Sequence, residues 1–295
     1  MSAIIFAFLV NASVFSINGI GEDLSVFHTP FIENTTLGQI GFTIYPEYTL
    51  LNEGGDYRGV FWTNPLRFHL RAPVVSGFSV TVGNLERFTQ SYDIYLQDSS
   101  LQVHALGEGG IEEVYAGINK RLGVFDIIAT GSYLFGNAWE IWTYSIGGYS
   151  LVDTFTYRYR GRIFNFGLKH ELLSIAYEGL SRLRMTKVEV DTLLIDLPER
   201  LSVILSPRVS DWQLGIMYER SFWSEDIYTS PNRFRLSAKR GTLGFAYSYN
   251  PWYINDITEH AIDLDVGIRL RNVGSAQVRM TFALRQRDGL REFKF

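Results

Sequence analysis

Residues 262–270, Ile-Asp-Leu-Asp-Val-Gly-Ile-Arg-Leu, and residues 278–284, Val-Arg-Met-Thr-Phe-Ala-Leu, alternate apolar and polar side chains without a break. Strand side chains alternate with a period of two, so Ile262, Leu264, Val266, Ile268 and Leu270 share one wall of an extended strand. Asp263, Asp265, Gly267 and Arg269 share the other. In the second stretch Val278, Met280, Phe282 and Leu284 oppose Gln277, Arg279, Thr281 and Arg285. Arg271-Asn272-Val273-Gly274-Ser275 has the composition of a turn and makes the pair a hairpin.

The same alternation runs through the chain. Ile40, Phe42 and Ile44 begin it, followed by Leu66, Phe68 and Leu70 against Arg67, His69 and Arg71, and by Phe78, Val80 and Val82. Phe125, Ile127, Ala129, Tyr133 and Phe135 share a face, as do Leu173, Ile175 and Tyr177. Trp212, Leu214, Ile216 and Tyr218 oppose Gln213, Gly215 and Glu219; Phe234, Leu236 and Ala238 oppose Arg233, Arg235 and Lys239. Between Tyr159 and Phe164 the apolar phase moves from odd to even positions around Gly161, a pattern expected of a β-bulge. About fourteen strands are expected. Long connections at 87–112, 136–153, 181–199 and 224–232 alternate with short turns, as in an up-and-down barrel with a looped rim and a tight rim. Gly107-Glu-Gly-Gly110 reads as a turn, since it does not lead from a strand into a helix as a phosphate cradle would.

Composition sets further bounds. The 295 residues include 15% aromatics and no cysteine, which excludes disulfides and thiolate metal sites. A net charge of −4 with interspersed signs argues against a nucleic-acid partner. Beyond the N-terminus no apolar run is long enough for a membrane helix. Ala3–Val14 has the length of a signal-peptide core, although no Lys or Arg precedes it, and cleavage is expected after Ser16. A soluble barrel with an apolar core would also alternate, but fourteen strands enclose a lumen too wide for side chains to fill. The apolar face is therefore expected to meet lipid, for which a closed barrel satisfies every backbone hydrogen bond.

The expected architecture is all-β: a closed antiparallel up-and-down transmembrane β-barrel of about 14 strands over residues 37–295, after a signal peptide at 1–16 and a short plug segment at 17–36. Lumen-facing candidates are Arg67, His69, Arg71, Glu219, Arg235, Lys239, Asp263, Asp265, Arg269, Arg279 and Arg285. Asp263 and Asp265 could serve as an acid pair, but the basic residues on the same wall make a neutralising interior network the stronger expectation. No catalytic, cofactor or metal site is expected: the five histidines are scattered and no zinc or nucleophile motif is present. Phe293-Lys-Phe295 is similar to the C-terminal signal of outer-membrane proteins.

Leu197-Pro-Glu-Arg-Leu-Ser-Val-Ile-Leu-Ser206, followed by Asp211-Trp-Gln-Leu-Gly-Ile-Met-Tyr-Glu219 and Trp223, resembles the FadL-like family of outer-membrane hydrophobic-compound transporters and their PorV-type relatives. Ser132–Gly136 and Gly161–Lys169 resemble other strands of that family. The resemblance implies an outer-membrane location and passive transport of hydrophobic small molecules such as long-chain fatty acids past an N-terminal plug. Gly19, Gly21, His28, Pro30 and Phe31 occupy the place of the family's hatch in degenerate form. Other functions compatible with the sequence are a non-transporting barrel that binds a protein partner through its loops, as PorV-type relatives do, and a general porin. Membrane lipid, a hydrophobic cargo and a loop-bound protein are the expected partners of a monomer.

Overall fold

In the computed structural model of the chain, the residues described are 20, 22–27, 39–44, 46–53, 56–63, 67–75, 77–97, 101–187, 192–224, 228–270, 274–287 and 290–295. The expected signal segment, the turn residues 271–273 and 288–289, and Gly19, Gly21, His28, Pro30 and Phe31 lie outside them. Among the described residues every regular element is a strand, and all strands belong to one antiparallel sheet.

The chain begins with β1 (Glu22–Asp23), β2 (Gln39–Thr43), β3 (Pro46–Glu53), β4 (Asp56–Thr63) and β5 (Arg67–Val75). Then come β6 (Phe78–Thr89), β7 (Tyr92–Gln97), β8 (Leu101–Leu122), β9 (Phe125–Ile146), β10 (Tyr149–Lys169) and β11 (Leu173–Lys187). β12 (Thr192–Ile195), β13 (Glu199–Leu205), β14 (Arg208–Val209), β15 (Trp212–Phe222) and β16 (Asn232–Arg240) lead to β17 (Leu243–Pro251), β18 (Thr258–Leu270), β19 (Gly274–Arg287) and β20 (Leu290–Lys294).

Twenty strands thus stand where about fourteen are expected. The excess comes from interruptions that side-chain alternation does not register: β6 and β7 both pair with β8, β12 and β13 both with β11, and β13 and β14 both with β15. β20 pairs with β3, bringing the last strand against one of the first. With five residues, however, β20 extends only about 17 Å, and its ladder on β3 runs from Asn52 to Thr49. No ladder joins β2 to β19 among the described residues, so the sheet is not closed along that edge, contrary to the expectation.

The stretches expected as long loops at 87–112 and 136–153 are mostly strand. β8 and β9 have 22 residues each and extend to about 70 Å, far beyond the thickness of a bilayer. The ladder of β9 with β10 is unbroken from the Gly147–Gly148 turn to Lys169–Asp126. Gly107–Gly110 lies inside β8 rather than in a turn. There a Cβ on Gly110 would overlap the Phe88 carbonyl and one on Gly109, at φ +102°, the Asn137 carbonyl, so the glycines let three backbones approach.

The faces of the sheet have opposite chemistry. Ile262, Leu264 and Val266 are 38–43% exposed, whereas Asp263 between them is 4% exposed. Phe234, Leu236, Phe245, Val278, Met280 and Phe282 are exposed in the same way, while Glu113, Asn165, Arg200, Glu219 and Arg285 are buried. Along this part of the sheet the polar side is the interior.

Further along the long strands the polarity reverses. On β10, Phe164, Phe166 and Leu168 are exposed and Asn165 is buried, but past Gly161 it is Tyr159 that is buried, while Arg158, Arg160 and Arg162 are exposed. The phase slip at Gly161 is therefore chiefly a change in which face is apolar. The irregularity of register lies between Arg162 and Phe164, in the ladder with β11, and not against β9. Beyond this level the strands enclose an ordinary apolar core of Ile20, Phe88, Ile111, Leu134, Tyr159, Leu183 and Tyr253. Because Gly110 sits where β6, β8 and β9 meet, Gly110→Val should prevent assembly of this region, whereas Gly131→Ala, with only ordinary contact to Phe164, should be tolerated. Gel mobility of unheated and heated protein will separate the two.

Candidate functional site

The interior charges converge on the short N-terminal strand. β1 pairs with β6, placing Glu22 opposite Thr89 and Asp23 opposite Phe88. Neighbouring residues of an extended segment point to opposite sides, so the two carboxylates reach opposite parts of the sheet.

Asp23 accepts from Arg200 Nη2 at 2.5 Å. Arg200 also donates to the Ser25 carbonyl at 3.1 Å, and the Ser25 hydroxyl donates back to Asp23. Behind Arg200 lie Glu219 and Arg233, joined at 3.1 Å, and Arg87, which is paired with Glu178 and lies 3.4 Å from Glu113. The Phe27 backbone N–H donates to Glu219 at 3.2 Å. This cluster draws on β6, β8, β11, β13, β15 and β16.

Glu22 pairs with Arg285 on β19 and with Lys294 on β20, the latter at 3.0 Å. Arg285 is 2% exposed and is also paired with Glu259 and, at 3.1 Å, with Glu292; Lys294 reaches Glu47 at 2.7 Å. The second cluster therefore draws on β3, β18, β19 and β20. Above both, the Ile20 N–H donates to the Tyr253 hydroxyl at 3.2 Å, and Tyr253 stacks on Trp223 at 4.5 Å and meets Tyr228 edge-on. Ile20 and residues 22–27 thus tie the sheet together from both sides.

No protein-family profile and no curated protein matches the chain. Two solved structures align with it at low similarity. One is the translocator domain of the autotransporter NalP from Neisseria meningitidis, 12% identical, covering 90% of this chain and 88% of that one with a TM-score of 0.39. The other is Pseudomonas aeruginosa OccK2 (OpdF) in complex with glucuronate, 9% identical, covering 87% and 96% with a TM-score of 0.31. The account of the site rests on its geometry.

Among the residues singled out from sequence, Glu219 and Arg285 lie in the two clusters. Arg235 pairs with Asp263, which also accepts from Thr281 at 2.6 Å, and Arg279 pairs with Asp265 at 2.7 Å. Arg67 and Arg71 are buried on β5 with His69 half-buried between them, and Arg71 donates to Ser79 at 3.4 Å. Lys239 is exposed, and the Arg269 side chain is outside the described set. Sequence reading missed Glu22, Asp23, Arg87, Glu178, Arg200 and Arg233. Arg233 alone carried a readable signal, since it stands directly opposite Glu219 in the β15–β16 ladder.

Burial alone would raise the Asp23 carboxyl, but the Arg200 guanidinium, followed by Arg87 and Arg233, holds it at about 2, below its ordinary 3.8. A carboxyl depressed on folding stabilises the fold above its unfolded value, and that contribution is lost as pH falls through 3.8 toward 2. Acidification across this window should release residues 20–27, seen as a change in Trp223 fluorescence, and Asp23→Asn should flatten that transition. Arg285→Ala leaves several buried carboxylates without their shared partner and should destabilise the protein by about 3–5 kcal/mol. Urea unfolding will measure the loss.

Proposed function

We propose that the chain is an outer-membrane β-barrel whose lumen is held shut by residues 20–27 and through which hydrophobic small molecules, such as long-chain fatty acids, pass by diffusion when that plug shifts. The single observation that carries the barrel is the inverted polarity of the sheet: exposed Phe164, Phe166, Val266 and Met280 on one side, buried Glu219, Arg233 and Arg285 on the other. An aqueous exterior would favour the opposite arrangement, whereas lipid favours this one. Supporting a barrel-like wall, joined over part of its height, is the position of β3, which has β20 on one side and β4 on the other. β2 and β3 would then form one wall strand, and β4 and β5 the next.

The cargo reading rests on the resemblance of residues 197–223 to FadL-like transporters, together with the apolar core that surrounds Ile20 at mid-length of the long strands. In this reading the plug meets an apolar region above and a charged region below. A general porin fits poorly, because ion pairs from Glu22 and Asp23 cross the interior where a polar channel would run. Those same pairs favour a second reading, in which the barrel stays sealed and the projecting β8–β11 strands bind a protein partner.

Two experiments test these readings. Val266→Arg puts a charge against lipid and should impair assembly into vesicles by about 2–4 kcal/mol, while Asp265→Ala should be much milder. Equal tolerance would sink the assignment of faces. For the cargo, Glu22→Gln combined with Asp23→Asn should speed uptake of a fluorescent long-chain fatty acid into proteoliposomes. Unchanged uptake, equal to protein-free vesicles in both proteins, would favour the sealed barrel.

A further inference from the structure

The reversal of polarity on β10 leaves a group of charges that no internal contact uses. Arg158, Arg160 and Arg162 occupy alternate positions on the outward face of β10, and Arg182 and Arg184 lie on β11 directly opposite Arg162 and Arg160. All five are exposed. Among the described residues none of their side chains makes a hydrogen bond, ion pair or ring contact. Paired positions in an antiparallel ladder are about 5 Å apart, and alternate positions along a strand about 7 Å apart. Five like charges therefore share a patch of lipid-headgroup dimensions. Exposed Asp196 follows Ile195, the ladder partner of Leu183 beside Arg182, without forming an ion pair, and Glu112, half-buried on β8, is the acidic group opposite Phe135 on β9.

The position of the patch identifies what would neutralise it. Two residues on from Arg162, the same face of β10 becomes Phe164, Phe166 and Leu168, the apolar band proposed to meet lipid. On the adjacent strand β9, Tyr133 stands opposite Arg162 and Phe135 opposite Arg160, both exposed, with their rings stacked at 6.0 Å. Aromatic side chains of this kind sit at the level of lipid headgroups. Guanidinium groups bind phosphate oxygens through parallel N–H donors. We propose that these five arginines form a binding site for the phosphorylated headgroup of an anionic membrane lipid, with its acyl chains lying on Tyr133, Phe135 and Phe164. A soluble anion would use the same guanidinium chemistry but would have no need of the apolar surface below.

This inference rests on the reading of the chain as a membrane barrel. The test uses the full chain in nanodiscs of equimolar phosphatidylcholine and phosphatidylglycerol, with lipids that remain bound counted by native mass spectrometry. Wild-type protein should retain phosphatidylglycerol preferentially, and added inorganic phosphate should not remove the preference. Each arginine near an anionic surface strengthens binding about fivefold, so Arg160→Gln with Arg184→Gln should reduce the preference by about 25-fold. Arg220→Gln should leave it unchanged, because that exposed arginine stands apart from the patch over Phe222. A wild-type protein that inserts but shows no preference, or a double variant that keeps it, overturns the lipid site alone. Loss of the preference in inorganic phosphate would assign the patch to a soluble anion instead. Failure of the wild-type chain to enter nanodiscs overturns the barrel reading and the site with it.

Discussion

Burial of charge constrains this protein more than any apolar contact does. Arg285, Arg233, Glu219 and Glu22 are at most 4% exposed, and an ion that leaves water without a partner loses several kcal/mol. Their positions therefore depend on one another. Arg285 is surrounded by carboxylates from β1, β18 and β20, so the placement of the N-terminal segment and that of the last strand are fixed by the same guanidinium. The short β20 would have little else to hold it, since its ladders on β19 and β3 are brief.

The polar interior also accounts for the exterior. A sheet with one face committed to ion pairs must present its other face outward, and here that face is hydrocarbon over the lower part of the long strands. Past Gly161 the commitment changes: interior positions are filled by Tyr159, Ile163, Leu134 and Leu183, and the outward positions become arginine and threonine. A single pair of strands thus contains a membrane-like section and a section built like the core of a water-soluble protein, joined without a break in the β9–β10 ladder.

The alternation of Ile262–Leu270 and Val278–Leu284 made the strands and their two faces legible, because a period of two is imposed on every residue of a half-buried strand. Strand limits were less legible. Gly107–Gly110 has a turn-like composition, yet its glycines serve close approach between β6, β8 and β9, a cause that involves residues distant in sequence. The shift of phase on β10 carried the right location, and a register irregularity does lie there against β11, but the exposed positions stay even on both sides of it, so the trace in the periodicity is chiefly a change of surroundings. The ion pairs of Glu22 and Asp23 were not legible at all. Nothing in two adjacent acidic residues specifies partners more than a hundred positions away, and only the register of Glu219 opposite Arg233 was accessible from strand pattern.

The N-terminal segment reproduces in a few residues the division found in the wall. Ile20 lies in the apolar core at mid-length of the long strands, whereas Glu22 and Asp23 lie among the buried charges below it. Sliding the segment by two residues in one direction would place Glu22 among Phe88, Leu134 and Tyr253, and sliding it in the other would carry Ile20 to the place of Glu22 beside Arg285, so either displacement would carry both a desolvation cost and a lost ion pair. The depth of the segment is consequently set from both sides, by hydrocarbon above and by charge below. Motion of the segment along the strand axis is then harder than a concerted release of both clusters, because only the release lets water solvate all of the separated charges.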